Sequence, residues 1–122
     1  MTRDEHEVID AAKLAQSQIA ELHIADPNNS AFEQLGLRDG FEIVRDFVNH
    51  GELGCALDHL LYMVHETPIP FPPERVLALH ALAVRNGWKN HYARASLATL
   101  TEEQRKHVFN VPDDQGGAAP TN

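Results

Sequence analysis

Four prolines fall within six residues, at 68, 70, 72 and 73, and they end an otherwise unbroken run of helix-forming sequence over residues 42–66. Each proline removes a backbone donor and fixes φ near −65°, and each disfavours helical geometry in the residue before it. Residues 67–72 must therefore be extended, with Ile69 and Phe71 expected to tuck onto a core. Proline is favourable at a first helical position, so Pro73 or Glu74 opens the next helix.

The run before this stop, EIVRDFVNHGELGCALDHLLYMVHE, reads as helix, glycine corner, helix. Leu37, Phe41, Val44 and Val48 recur at helical spacing, with Arg38 or Asp39 near the start of this helix and Gly51 just past its end. Leu53, Ala56, Leu57, Leu60, Leu61 and Val64 form the widest apolar stripe in the chain, which predicts that their helix lies at the centre of the core. Upstream, Val8, Ala12, Ala15, Ile19 and Leu22 mark a first helix over roughly residues 4–24, with Asp10, Lys13, Gln16 and Glu21 on its polar face. The turn formers of residues 26–30 break the chain before a short segment around Phe32 and Leu35.

Beyond the prolines, Val76, Leu79, Leu82 and Ala83 give the inward face of a helix that Asn86-Gly87 ends. Trp88, Tyr92 and Ala95 stack on a fifth element, and Thr101 with Gln104 fits a capping box for a last short helix through Lys106. There is no internal repeat, heptad seam or sustained alternation. The pattern predicts an all-α fold: one compact bundle of four to six helices with short connections over residues 1–111, then a disordered Gly- and Pro-rich tail over 112–122. Phe41, Phe47, Phe71 and Trp88 either complete a monomer core or leave a dimer patch; helical phase does not separate the two, so the oligomeric state stays open.

Composition narrows the function classes. The chain of 122 residues is 43% hydrophobic and has no apolar stretch near the ~20 residues a bilayer requires. Its acidic N-terminus lacks a secretory signal, and its one cysteine, Cys55, forms no internal disulfide, so a reducing cytoplasmic location is expected. A net charge of −8 argues against affinity for nucleic acid. Residues 39–66 set Asp39, Glu42, Asp46, Glu52, Asp58 and Glu66 against Arg45 alone, whereas residues 74–107 are net basic.

The eight histidines are where metal or acid–base chemistry would be sought. His6 with Asp10 and Cys55 with His59 stand one helical turn apart, but neither pair repeats a known helical metal motif and each lacks a third ligand. His50 and His107 suit helix C-termini, where positive charge is favourable. Cys55 reads as a small, semi-buried thiol beside the core stripe. With no phosphate loop, nucleophile elbow or recessed carboxylate pair, the sequence points to no catalytic residue, no metal and no cofactor. A histidine-dependent metal enzyme is the minor alternative.

What remains is a surface. Opposite the core stripe of the third helix lie Cys55, Asp58, His59, Tyr62, His65 and Glu66, a mixture of aromatic, imidazole and carboxylate groups typical of interfaces. Tyr62 is the natural anchor, unless it packs against a neighbouring helix. Charge and helical phase select Glu42, Asp46, Glu52, Asp58, His59, Tyr62 and Glu66 as a partner-binding face.

The acidic helix ending in VNHGELG, the ALDHLLYMVHE helix after it and the TPIPFPPE stop resemble the core block of MafI-type immunity proteins, over residues 40–87 at most. These are small helical bacterial proteins that neutralise toxins of polymorphic secretion systems. The resemblance implies a helical protein that binds a cognate toxin and occludes it stoichiometrically. The stretch from Trp88 onward and the break at residues 26–30 have no counterpart in that pattern. A cytoplasmic adaptor or regulatory protein that recognises a partner helix or peptide is the alternative.

Overall fold

The computed structural model describes residues 1–88 of the chain, which form four α-helices: α1 (Arg3–Ala25), α2 (Gly40–Asn49), α3 (Leu53–His65) and α4 (Pro73–Arg85). A single 3-10 turn, Ser30–Glu33, lies between α1 and α2, and no strand occurs among the described residues. The expected fifth element, the last short helix and the tail all fall outside them.

Local chemistry sets the boundaries. α1 opens on a capping box in which Glu5 N–H donates to the Thr2 hydroxyl (3.1 Å) and Thr2 N–H donates to the Glu5 carboxylate (2.8 Å). Removing the hydroxyl with Thr2→Ala is expected to cost about 1 kcal/mol, measured as a shift of the denaturation midpoint. α2 and α4 end alike. In α2, Gly51 adopts φ +74 while Gly51 N–H donates to Val48 and Glu52 N–H to Phe47. In α4, Gly87 adopts φ +69 while Gly87 N–H donates to Val84 and Trp88 N–H to Ala83. Both are Schellman closures, which need a left-handed residue that glycine adopts without strain. The corner at Gly51 thereby turns α2 directly into α3.

The side chain of Gln16 supplies the start of α2 from a distance. Asp39 makes no side-chain cap there, but Phe41 N–H donates to Gln16 Oε1 (2.8 Å) and Gln16 Nε2 donates to the Leu37 carbonyl (3.2 Å). The polar face expected of Gln16 is thus turned inward. An amide from α1 satisfies one of the orphan donors of a helix start.

The core runs between all four helices. Val8, Ala12, Ala15 and Ile19 of α1, Val44 of α2, Leu57, Leu60 and Leu61 of α3, and Leu79 and Leu82 of α4 are all at or near complete burial. α3 is central, as its stripe predicts, but its inward arc differs from expectation: Met63 is fully buried and Val64 only half-buried. The cause lies in α2, where Gly40 leaves space; a Cβ there would stand 2.6 Å from the Met63 Sδ and Cε. Cys55, expected to be semi-buried, is exposed because it lies across α3 from this arc.

The proline segment follows its chemistry in part: residues 68–72 are neither helix nor strand and Pro72 is extended, but Thr67, expected to be extended, is a buried bend whose hydroxyl donates to the Met63 carbonyl at 2.7 Å. Phe71 is buried and Ile69 half-buried against the core, and Pro73 opens α4. Phe41, Phe47 and Trp88 are half-buried and also pack against the core.

Candidate functional site

The structure divides the expected partner-binding face into two parts. Glu42 and Asp46 project from the outer side of α2, and Glu52 sits at the corner before α3; all three are exposed. Glu42, Ile43, Arg45, Asp46 and Asn49 line an open depression on the outer side of α2. Arg45, which shares this depression, stands over the Phe41 ring, 5.5 Å from its centre. Among the described residues no ion pair joins Glu42 or Glu52 to a cation.

Asp46 has a partner of its own. His50 Nδ1 donates to the Asp46 backbone carbonyl at 2.7 Å and stands 3.6 Å from its carboxylate. The hydrogen bond first, and the carboxylate second, raise the pKa of His50 above its ordinary value. The proton is therefore held more tightly in the fold, so this small contribution is present below the usual histidine range and fades as pH rises through the elevated value. Protonated His50 offsets part of the negative charge at this end of the ridge.

His59 and Tyr62 form the second part, and they do a different job from the one their spacing suggests. Both are half-buried and both reach the loop between the 3-10 turn and α2: Tyr62 Oη donates to the Leu35 carbonyl (2.7 Å) and His59 Nε2 to the Gly36 carbonyl (2.8 Å). A carbonyl oxygen only accepts, so His59 Nε2 carries the proton in this contact. Their rings lie 5.3 Å apart. Gly36, at φ +83, fits beneath His59 because it has no side chain. Together these groups fix the backbone of Leu35, whose own side chain is 93% exposed. Asp58 and Glu66 are half-buried, and Glu66 closes α3 as its C-cap.

The arrangement thus brings Glu42 and Asp46 together on α2, adds Glu52 at the corner, and turns His59 and Tyr62 into supports for a neighbouring loop. The sequence reading passed over Leu35 as part of a short segment. An apolar residue directly before a glycine in a turn-rich stretch was the available signal. Among the described residues neither His6 with Asp10 nor Cys55 with His59 gains a third metal-ligating neighbour, and no helix is long and apolar enough to cross a membrane. Comparison with protein-family models, curated proteins and solved structures finds no match to this chain.

Proposed function

We propose that this chain is a non-catalytic protein-binding module, an immunity protein that neutralises a cognate bacterial toxin by stoichiometric occlusion. The observation that carries the reading is the exposed carboxylate ridge of Glu42, Asp46 and Glu52 around the corner between α2 and α3. A toxin that acts on nucleic acid must present a basic cleft, and a fixed acidic ridge both steers association with such a cleft and blocks access to it. The pinned loop beside the ridge offers Leu35 as an apolar contact whose backbone is already ordered, which lowers the entropy lost on binding. The resemblance of residues 40–87 to the immunity family supports the same reading.

Growth rescue tests it. The gene immediately upstream is expressed with and without this protein, and any complex is purified. Rescue with a one-to-one complex is the expected result; a harmless neighbour and no complex would sink the immunity reading and leave the adaptor in its place. Within such a complex, reversing charge at Glu42 and Asp46 to lysine is expected to lower affinity at least tenfold at low salt, chiefly through the association rate. Unchanged association kinetics would remove α2 from the interface. Reversal at Asp58 or Glu66 is expected to have the smaller effect on steering, since both are less exposed.

A further inference from the structure

Five consecutive residues of α4, from Leu79 to Ala83, are buried, and one of them is His80. Its exposure is 0%, and among the described residues neither Nδ1 nor Nε2 has a hydrogen-bond partner. A neutral imidazole carries one donor and one acceptor, and each is stripped of water here without replacement. The ring next to it belongs to His65 near the end of α3, with centres 6.4 Å apart and planes inclined at 45°.

No carboxylate among the described residues acts on the His80 ring. From α3 the titratable group that faces it is His65, whose own charged neighbour is Glu66. From α1, Asp4 pairs with Arg85 at 3.3 Å, and Glu7 interacts with Arg85, Asp4, Arg3 and Arg75 rather than with His80. A proton placed on His80 would therefore meet an apolar surround and a second imidazole. Among the described residues nothing compensates it.

We propose that His80 and His65 form a proton-operated latch on α4, and that protonation of His80 in mild acid releases α4 from a bundle in which α1, α2 and α3 hold together. Three features make α4 the element that leaves. It follows the non-helical proline segment of residues 68–72, which Gln18 of α1 holds at the Pro70 carbonyl (3.3 Å) and which can act as a hinge without breaking a helix. Its polar ties to α1 among the described residues lie at its two ends, the Arg85–Asp4 ion pair and the attraction of Arg85 and Arg75 for Glu7. The other three helices are bound to one another by the Gln16 bridge between α1 and α2 and by the His59 and Tyr62 bonds from α3 to the loop before α2.

Burial, and secondarily His65, hold the His80 pKa down to about 4 in the closed bundle. An imidazole released to water titrates near 6.5, so opening becomes about tenfold easier for each pH unit between these limits. The experiment is hydrogen exchange on the full chain from pH 7 to pH 4.5, normalised for the intrinsic exchange rate. Opening of residues 73–88 is expected to rise about fortyfold between pH 6.5 and 4.5, with protection in α1, α2 and α3 largely retained. His80→Leu should remove the rise. His65→Asn, at an exposed position, should keep the fold and shrink it. Asp4→Asn should offset opening at every pH without changing the slope. Loss of protection in all four helices together, an unchanged slope in His80→Leu, or a slope abolished by Asp4→Asn alone would each overturn the latch.

Discussion

His80→Leu is expected to stabilise the protein at every pH, by a margin that widens in acid. Leucine matches histidine closely in volume and brings no polar atom into the core, whereas His80 buries two ring nitrogens without partners among the described residues. Leaving a buried donor or acceptor unsatisfied costs about 1–3 kcal/mol, so a gain of roughly that size is expected at pH 7.

The pH dependence follows from linkage. His80 is held at about 4 in the fold, against about 6.5 in an unfolded chain. Between those values the unfolded chain binds a proton that the folded one refuses, so the wild-type protein loses stability as pH falls through this window and levels off below it. At pH 5 the loss approaches 2 kcal/mol on the scale of about 1.4 kcal/mol per pKa unit. The variant escapes it. Denaturant midpoints at pH 7 and pH 5 are the measurement; parallel pH profiles for the two proteins, or a variant less stable than wild type at pH 7, would show that the ring is not an uncompensated burial.

The opposite sign is expected for Gly36→Val, which should cost about 2–4 kcal/mol. Backbone at φ +83 is strained for any residue with a Cβ and most of all for a β-branched one. Space is lacking as well. The new Cβ would lie 2.8 Å from His59 Cε1 and 3.3 Å from Nε2, the atom that donates to the Gly36 carbonyl. His59 must swing away, and the loop then loses a tether. A double-mutant cycle separates the two causes: in a His59→Ala background the clash is relieved and only the backbone strain remains, so valine should cost measurably less there. Equal costs in both backgrounds would mean that His59 does not press on this loop. Gly36→Val should also weaken any complex in which Leu35 takes part.

Helical phase carried most of the fold because each helix buries one stripe and the prolines and glycines mark its limits. Pro73 at the first position of α4 and Gly51 and Gly87 at the helix ends are read directly from backbone chemistry, with no knowledge of what packs where. Contacts between helices were beyond that reach. Met63 turned inward because Gly40, 23 residues earlier, leaves room for it, and Gln16 caps a helix that begins 24 residues later. The histidines illustrate the same limit. His50 was placed at a helix end by Gly51 beside it, but His59 and His80 differ only in what surrounds them: the first holds a loop carbonyl and the second nothing among the described residues. Tyr62 looked like an interface anchor, and its phase alone could not show that the hydroxyl reaches Leu35.

The ion pair between Asp4 and Arg85 joins the beginning of α1 to the end of α4, residues 81 apart in the chain. Such a contact can form only after a long loop has closed, whereas α2 and α3 meet across a corner of three residues. Assembly should therefore begin at the Gly51 hairpin, recruit α1 through Gln16, and dock α4 late. In a kinetic experiment, substitutions in the α2–α3 contact would slow folding, while Asp4→Asn would chiefly hasten unfolding.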